Sequence, residues 1–160
     1  MTRTFEFLEM PERSAKPRHN GLTSIADIGL PNSYVEGTLE LWHDAIDAVK
    51  ISAFVMTADD AAVRAKIAVY RKWGIDAQIG GPVLELARLQ GKDRETLERM
   101  RDMGYTSLEI SAEALPEQRP MAEERTFAAL ARSYGFMLHG EVGKKFPAGD
   151  RLRRSPTELD

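Results

Sequence analysis

A small set of charged residues closes or interrupts the short apolar runs of this 160-residue chain: Asp27, Lys50, Glu109, Glu141 and the pair Lys144-Lys145. Ser111 follows Glu109 by two positions, and Gly80-Gly81 ends another run. Glu109 and Ser111 share a face by period two, as do Glu141, Gly143 and Lys145 if that run stays extended. Carboxylates converging on one mouth could hold Mg²⁺ with its waters, and a lysine there could clamp an anion or deliver a proton. The paired glycines could offer backbone N–H groups to an anion. A small anionic substrate is the partner this set predicts. His19 sits in a polar lead segment, His43 in a helix-like segment and His139 in an apolar run, none with a second ligand at metal spacing. Cysteine is absent, which removes thiolate sites and cysteine nucleophiles.

The elements that must position these residues follow a rhythm. Trp73-Gly74-Ile75-Asp76, Met103-Gly104-Tyr105-Thr106 and Tyr134-Gly135-Phe136-Met137 each place a glycine between a helix-like segment and an apolar run. The joints recur about every thirty residues, a period typical of repeated supersecondary units. Thr57 with Asp60 reads as a capping box ahead of Val63, Ile67 and Tyr70. Asp93 reads as the cap of a segment that turns Leu97 and Met100 inward, and Pro120 opens one that turns Phe127, Leu130, Ala131 and Tyr134 inward. Strands are expected over 22–28, 46–53, 75–79, 105–111 and 136–142, apolar enough to be covered by helices. Five parallel βα units fit either an open doubly wound sheet or part of an eight-unit barrel, whose full size is about 250 residues. Spacing does not choose between them. Ser155-Pro156-Thr157-Glu158 has the features of a helix opening, so a further helix is expected to begin there and the barrel to be cut short.

Composition bounds the rest. With 42% hydrophobic and 29% charged residues, one domain spanning 1–160 is expected, with a lead segment over 1–20 and a loop and helix start over 147–160. A net charge of -3 with interspersed signs provides no basic field for nucleic acid. The charged N-terminus is no signal segment and no apolar run spans a membrane, so a cytoplasmic location is expected. An unclosed barrel exposes two strand edges, which predicts a homo-oligomer.

With these residues in view, the chain resembles the phosphosulfolactate synthase family of coenzyme M biosynthesis. The resemblance runs through Phe5-Glu6-Phe7-Leu8, Lys16-Pro17-Arg18, Gly21-Leu22-Thr23, Asp27-Ile28-Gly29-Leu30-Pro31, Ile46-Asp47, Val49-Lys50, Gly80-Gly81, Glu109-Ile110-Ser111 and Glu141-Val142-Gly143-Lys144-Lys145. It implies a TIM barrel of which this chain carries the first five βα units. It also implies a Mg²⁺-dependent lyase-type synthase adding sulfite to phosphoenolpyruvate. Lys145, beside Lys144, matches the family's proton donor. Asp27, Glu109 and Glu141 are expected near the metal, and Lys50, Ser111, Gly80 and Gly81 near the substrate. Four strand-end loops depart from the family: Ile28 replaces a lysine, Ser52-Ala53-Phe54-Val55-Met56 replaces Gly-Trp-Gly-Thr-Ser, Pro82 replaces a threonine, and Ala112-Glu113 replaces Asp-Gly. A non-catalytic relative, linked to stress or binding, or an inactive truncated fragment is the alternative expectation.

Overall fold

The structure is a computed structural model and describes residues 5, 7–9, 11–111 and 121–141. Five strands form one parallel sheet: β1 Ser24–Asp27, β2 Ala48–Ile51, β3 Asp76–Ile79, β4 Ser107–Ile110 and β5 Met137–Gly140. Each is shorter than the apolar run that predicted it, because only the central residues of each run join the ladder. Their spatial order is β1-β2-β3-β4-β5, the order of the sequence. A doubly wound sheet reverses direction at a switch point, whereas right-handed crossovers that always step the same way put every helix on one face. The strand order therefore selects the barrel architecture that spacing left open.

The covering helices are α1 Asn32–Trp42, α2 Asp60–Lys72, α3 Gly81–Leu89, α4 Asp93–Met103 and α5 Met121–Ser133. Each turns a narrow stripe inward: Val35 and Leu39, then Val63, Ile67 and Tyr70, then Leu84 and Ala87, then Leu97 and Met100, then Phe127 and Ala131. They meet Val49, Ile51, Ala77, Ile79 and Leu108 in one core. Two caps differ from expectation. Asp59, not Thr57, caps α2, its carboxylate accepting from the Ala62 N–H at 3.2 Å. Asp93 is the first residue of α4 rather than its cap, and Lys92 precedes it without a side-chain hydrogen bond. α3 was not expected at all. It starts directly after β3, with Pro82 in its first turn, where a ring that lacks an N–H costs no helical bond. A forked Arg88–Glu124 pair at 2.8 and 2.9 Å ties α3 to α5, with the Arg88 guanidinium over the Phe127 ring.

At the opposite end of the strands, Asp47 fastens the lead segment. It accepts from Arg18 at 2.7 Å, Arg13 at 2.9 Å and the Thr23 N–H at 2.8 Å. The family-like Lys16-Pro17-Arg18 and Ile46-Asp47 segments thus meet at the amino-terminal rim, which in barrels serves stability rather than chemistry. Among the described residues no helix is long and apolar enough to cross a membrane. The expected helix start at Ser155 and the whole of 147–160 lie outside the described residues.

Candidate active site

Ladder register sorts the strand residues into two layers, because paired positions on parallel strands point to the same side and successive ones alternate. One row reads Asp27, Ile51, Ile79, Leu108, Leu138, and its middle members face the helices. The next row reads Ala26, Lys50, Gln78, Ser107, Met137 and faces the barrel interior. Two residues further on, Glu109 stands opposite His139 on that same inner face.

Glu109 is the hub of the inner face. Its Oε2 accepts from Lys50 Nζ at 2.8 Å and from Gln78 Nε2 at 3.5 Å, and its Oε1 accepts from the Gly81 N–H at 3.1 Å. The Gly81 amide belongs to the first turn of α3, so the positive end of the helix dipole adds to the Lys50 charge on this 6%-exposed carboxylate. The anion nest expected at Gly80-Gly81 is thereby filled from within: Gly81 serves Glu109, and the Gly80 N–H donates to the Ile51 carbonyl at 3.2 Å. Glycine is required at position 81, since a Cβ there would overlap Ser111 Oγ and stand 3.0 Å from Ser111 Cβ and 3.3 Å from Glu109 Oε1. Ser111 donates its hydroxyl to Glu85 of α3. The site therefore joins β2, β3, β4 and α3 through hydrogen bonds, with the Lys50 side chain 31% exposed at its open side.

Asp27 is not brought to this cluster. It lies in the helix-facing row, fully buried, with Oδ2 accepting from Lys66 Nζ at 2.7 Å and the Tyr70 hydroxyl at 3.0 Å. Its Oδ1 accepts from the Gly29 and Leu30 N–H groups at 2.8 and 2.9 Å. Burial alone pushes its carboxyl up, but the Lys66, Gly29, Leu30 and Tyr70 donors outweigh burial and hold it below its ordinary value. The same burial, with the Asp27 charge beside it, raises the Tyr70 phenol. The Asp-x-Gly-Leu-Pro segment thus buckles the β1–α1 turn onto α2, and Ile28 is exposed.

Glu141 continues β5, its N–H donating to the Ile110 carbonyl at 2.9 Å, so by parity with His139 it belongs to the inner face. The expected metal set of Asp27, Glu109 and Glu141 is consequently split between two layers. Among the described residues no group of three His, Asp or Glu side chains could hold a metal. Glu109 and Glu141 remain together on the inner face, and two carboxylates with waters are the donors Mg²⁺ commonly takes. Lys144 and Lys145 lie outside the described residues.

Two inner-face residues escaped sequence reasoning, Gln78 and Ser107, and a third, His139, is set aside there only because it lacks a second metal ligand. Their signal was period two, counted from Lys50 and Glu109 across the ladder, and it needed the strand register to be seen. Glu85 belongs to the unexpected helix α3.

Known proteins supply the context for this arrangement. A model of the family described as (2R)-phospho-3-sulfolactate synthase (ComA) matches residues 11–159. The phosphosulfolactate synthase of Methanothermobacter thermautotrophicus is 33% identical over 149 residues, covering 92% of this chain and 57% of that protein. That of Methanocaldococcus jannaschii is 37% identical over 135 residues, covering 82% of this chain and 52% of that protein. The chain spans about half the length of these curated relatives. It belongs to the (2R)-phospho-3-sulfolactate synthase (ComA) family.

Proposed function

We propose that this family member acts in the reaction its relatives are named for, adding sulfite to phosphoenolpyruvate to form phosphosulfolactate at the open end of the inner face. The observation that carries the reading is the Lys50–Glu109–Gly81 cluster, which lies inside the family match and holds an ammonium at the strand ends. Lys50 turns from Glu109 toward the substrate's carboxylate or phosphate, while Glu109 keeps the α3 amide and Gln78 as partners. The sulfite sulfur attacks the methylene carbon and forms a C–S bond. The double-bond electrons move onto the neighbouring carbon, which takes a proton from Lys145, and the phosphate ester stays intact. Mg²⁺ held by Glu109, Glu141 and waters would supply positive charge against the carboxylate as that charge develops.

A homo-oligomer is part of the proposal, because β1 and β5 each have one neighbour among the described residues. Phosphorus NMR of the purified chain with phosphoenolpyruvate and sulfite tests the reading. A new phosphate-ester resonance that needs Mg²⁺ and disappears in a folded Lys145→Ala variant is the expected result. A folded wild-type sample that leaves phosphoenolpyruvate unchanged contradicts it.

A further inference from the structure

Among the described residues, two polar atoms on the inner face are buried without a hydrogen-bond partner: Ser107 Oγ and His139 Nε2. Ser107 is 0% exposed and stands in the Lys50–Gln78–Ser107 row, while His139 is the ladder partner of Glu109. Both therefore lie on the same face of the sheet as Lys50 and Glu109, Ser107 two residues before Glu109 on β4 and His139 beside Glu109 on β5. Folded proteins leave few such groups unpaired, because a buried donor or acceptor that loses water and gains nothing is destabilising. A hydroxyl and an imidazole can each donate one hydrogen bond, and Lys50, whose ammonium reaches Glu109 on the same face at 2.8 Å, carries a full charge.

We propose that Ser107 and His139, with Lys50, form a subsite for one oxygen-rich end of a small oxyanion, a phosphate or a carboxylate. The subsite lies on the inner face below the strand-end mouth. It rests on the reading of the chain as an enzyme of phosphorylated carboxylates and adds to it the residues that fix the anion. Ser107 Oγ and His139 Nε2 donate to the anion's oxygens, and Lys50 neutralises its charge. His139 acts here as a hydrogen-bond donor to the anion, not as a metal ligand.

The test is calorimetric titration of the full chain with inorganic phosphate and, separately, with phosphoenolpyruvate. Ser107→Ala, His139→Leu and His139→Gln are compared with wild type, and the thermal midpoint of each is recorded without ligand. Loss of one hydrogen bond to a charged ligand predicts about ten- to a hundredfold weaker binding for Ser107→Ala and His139→Leu. His139→Gln, which keeps an amide near the position of Nε2, is expected within about threefold of wild type. The ligand-free midpoints should not fall, since no hydrogen bond among the described residues is removed. Equal affinities in all four proteins overturn the subsite and leave the synthase reading standing. Phosphate binding that depends on both residues, without phosphoenolpyruvate binding, supports the subsite and removes the synthase reading. No binding of either ligand by wild type overturns both. Should a variant not fold, imidazole nitrogen shifts of the unaltered chain decide: movement of the His139 signals on adding phosphate supports the subsite, and none overturns it.

Discussion

Asp27 and Glu109 are both carboxylates at the ends of strands, and their environments give them opposite work. Asp27 takes four donors on the helix-facing side and locks β1 to α2, whereas Glu109 takes Lys50, Gln78 and Gly81 on the inner side. Replacing Asp27 by Asn leaves the 8%-exposed Lys66 ammonium without its counter-charge, so a loss of about 3 kcal/mol in urea unfolding is expected at neutral pH. The pH dependence has a defined sign. Because the folded Asp27 carboxyl is held below its ordinary 3.8, its contribution is present above that value and is lost as pH falls through the folded one. Wild-type stability should therefore decline below about pH 4, and the decline should be shallower in Asp27→Asn; identical slopes would contradict the assignment. Asp47, also held low, keeps part of the slope in both proteins. At the site itself, Gly81→Ala should cost about 2 kcal/mol through overlap with Ser111, and Ser111→Gly in that background should recover part of the loss. Full stability of the single variant would show that α3 can move away from β4.

Among the elements, α2 offers the clearest contrast between pattern and structure. Its inward stripe of Val63, Ile67 and Tyr70 was legible from spacing alone, as were Leu97 and Met100 of α4, because a 3.6-residue period needs no knowledge of partners. The cap was misplaced by two residues, since Thr57, Asp59 and Asp60 all have capping chemistry and only backbone geometry selects Asp59. Asp59→Ala should lower stability by about 1 kcal/mol, and a neutral outcome would mean that α2 does not depend on this cap. α3 stayed hidden because Leu86 and Leu89 are apolar yet exposed, which blurs the stripe formed by Leu84, Ala87 and Arg88. Lys50 and Glu109 were legible because a charge inside an apolar run stands out. Gln78 and Ser107 were not, being uncharged, His139 was weighed only as a metal ligand, and Asp27 was assigned to the wrong face because one position along a strand reverses the side.

For the whole molecule, the sequential strand order means that the inner face is a segment of a barrel wall, half-exposed at Met137 and fully covered at Ser107. With β1 and β5 unpaired on one side each among the described residues, sedimentation velocity over a range of concentrations should show reversible self-association. A single monomer species at every concentration would contradict that expectation. The Lys50–Glu109 pair is expected to open to receive the substrate's anion, and calorimetric titration of phosphoenolpyruvate into wild type and Lys50→Met is the test. Wild type should bind saturably, and a Lys50→Met variant that remains folded should bind at least about tenfold more weakly. Equal affinity in the two proteins, or no binding by folded wild type, would contradict it.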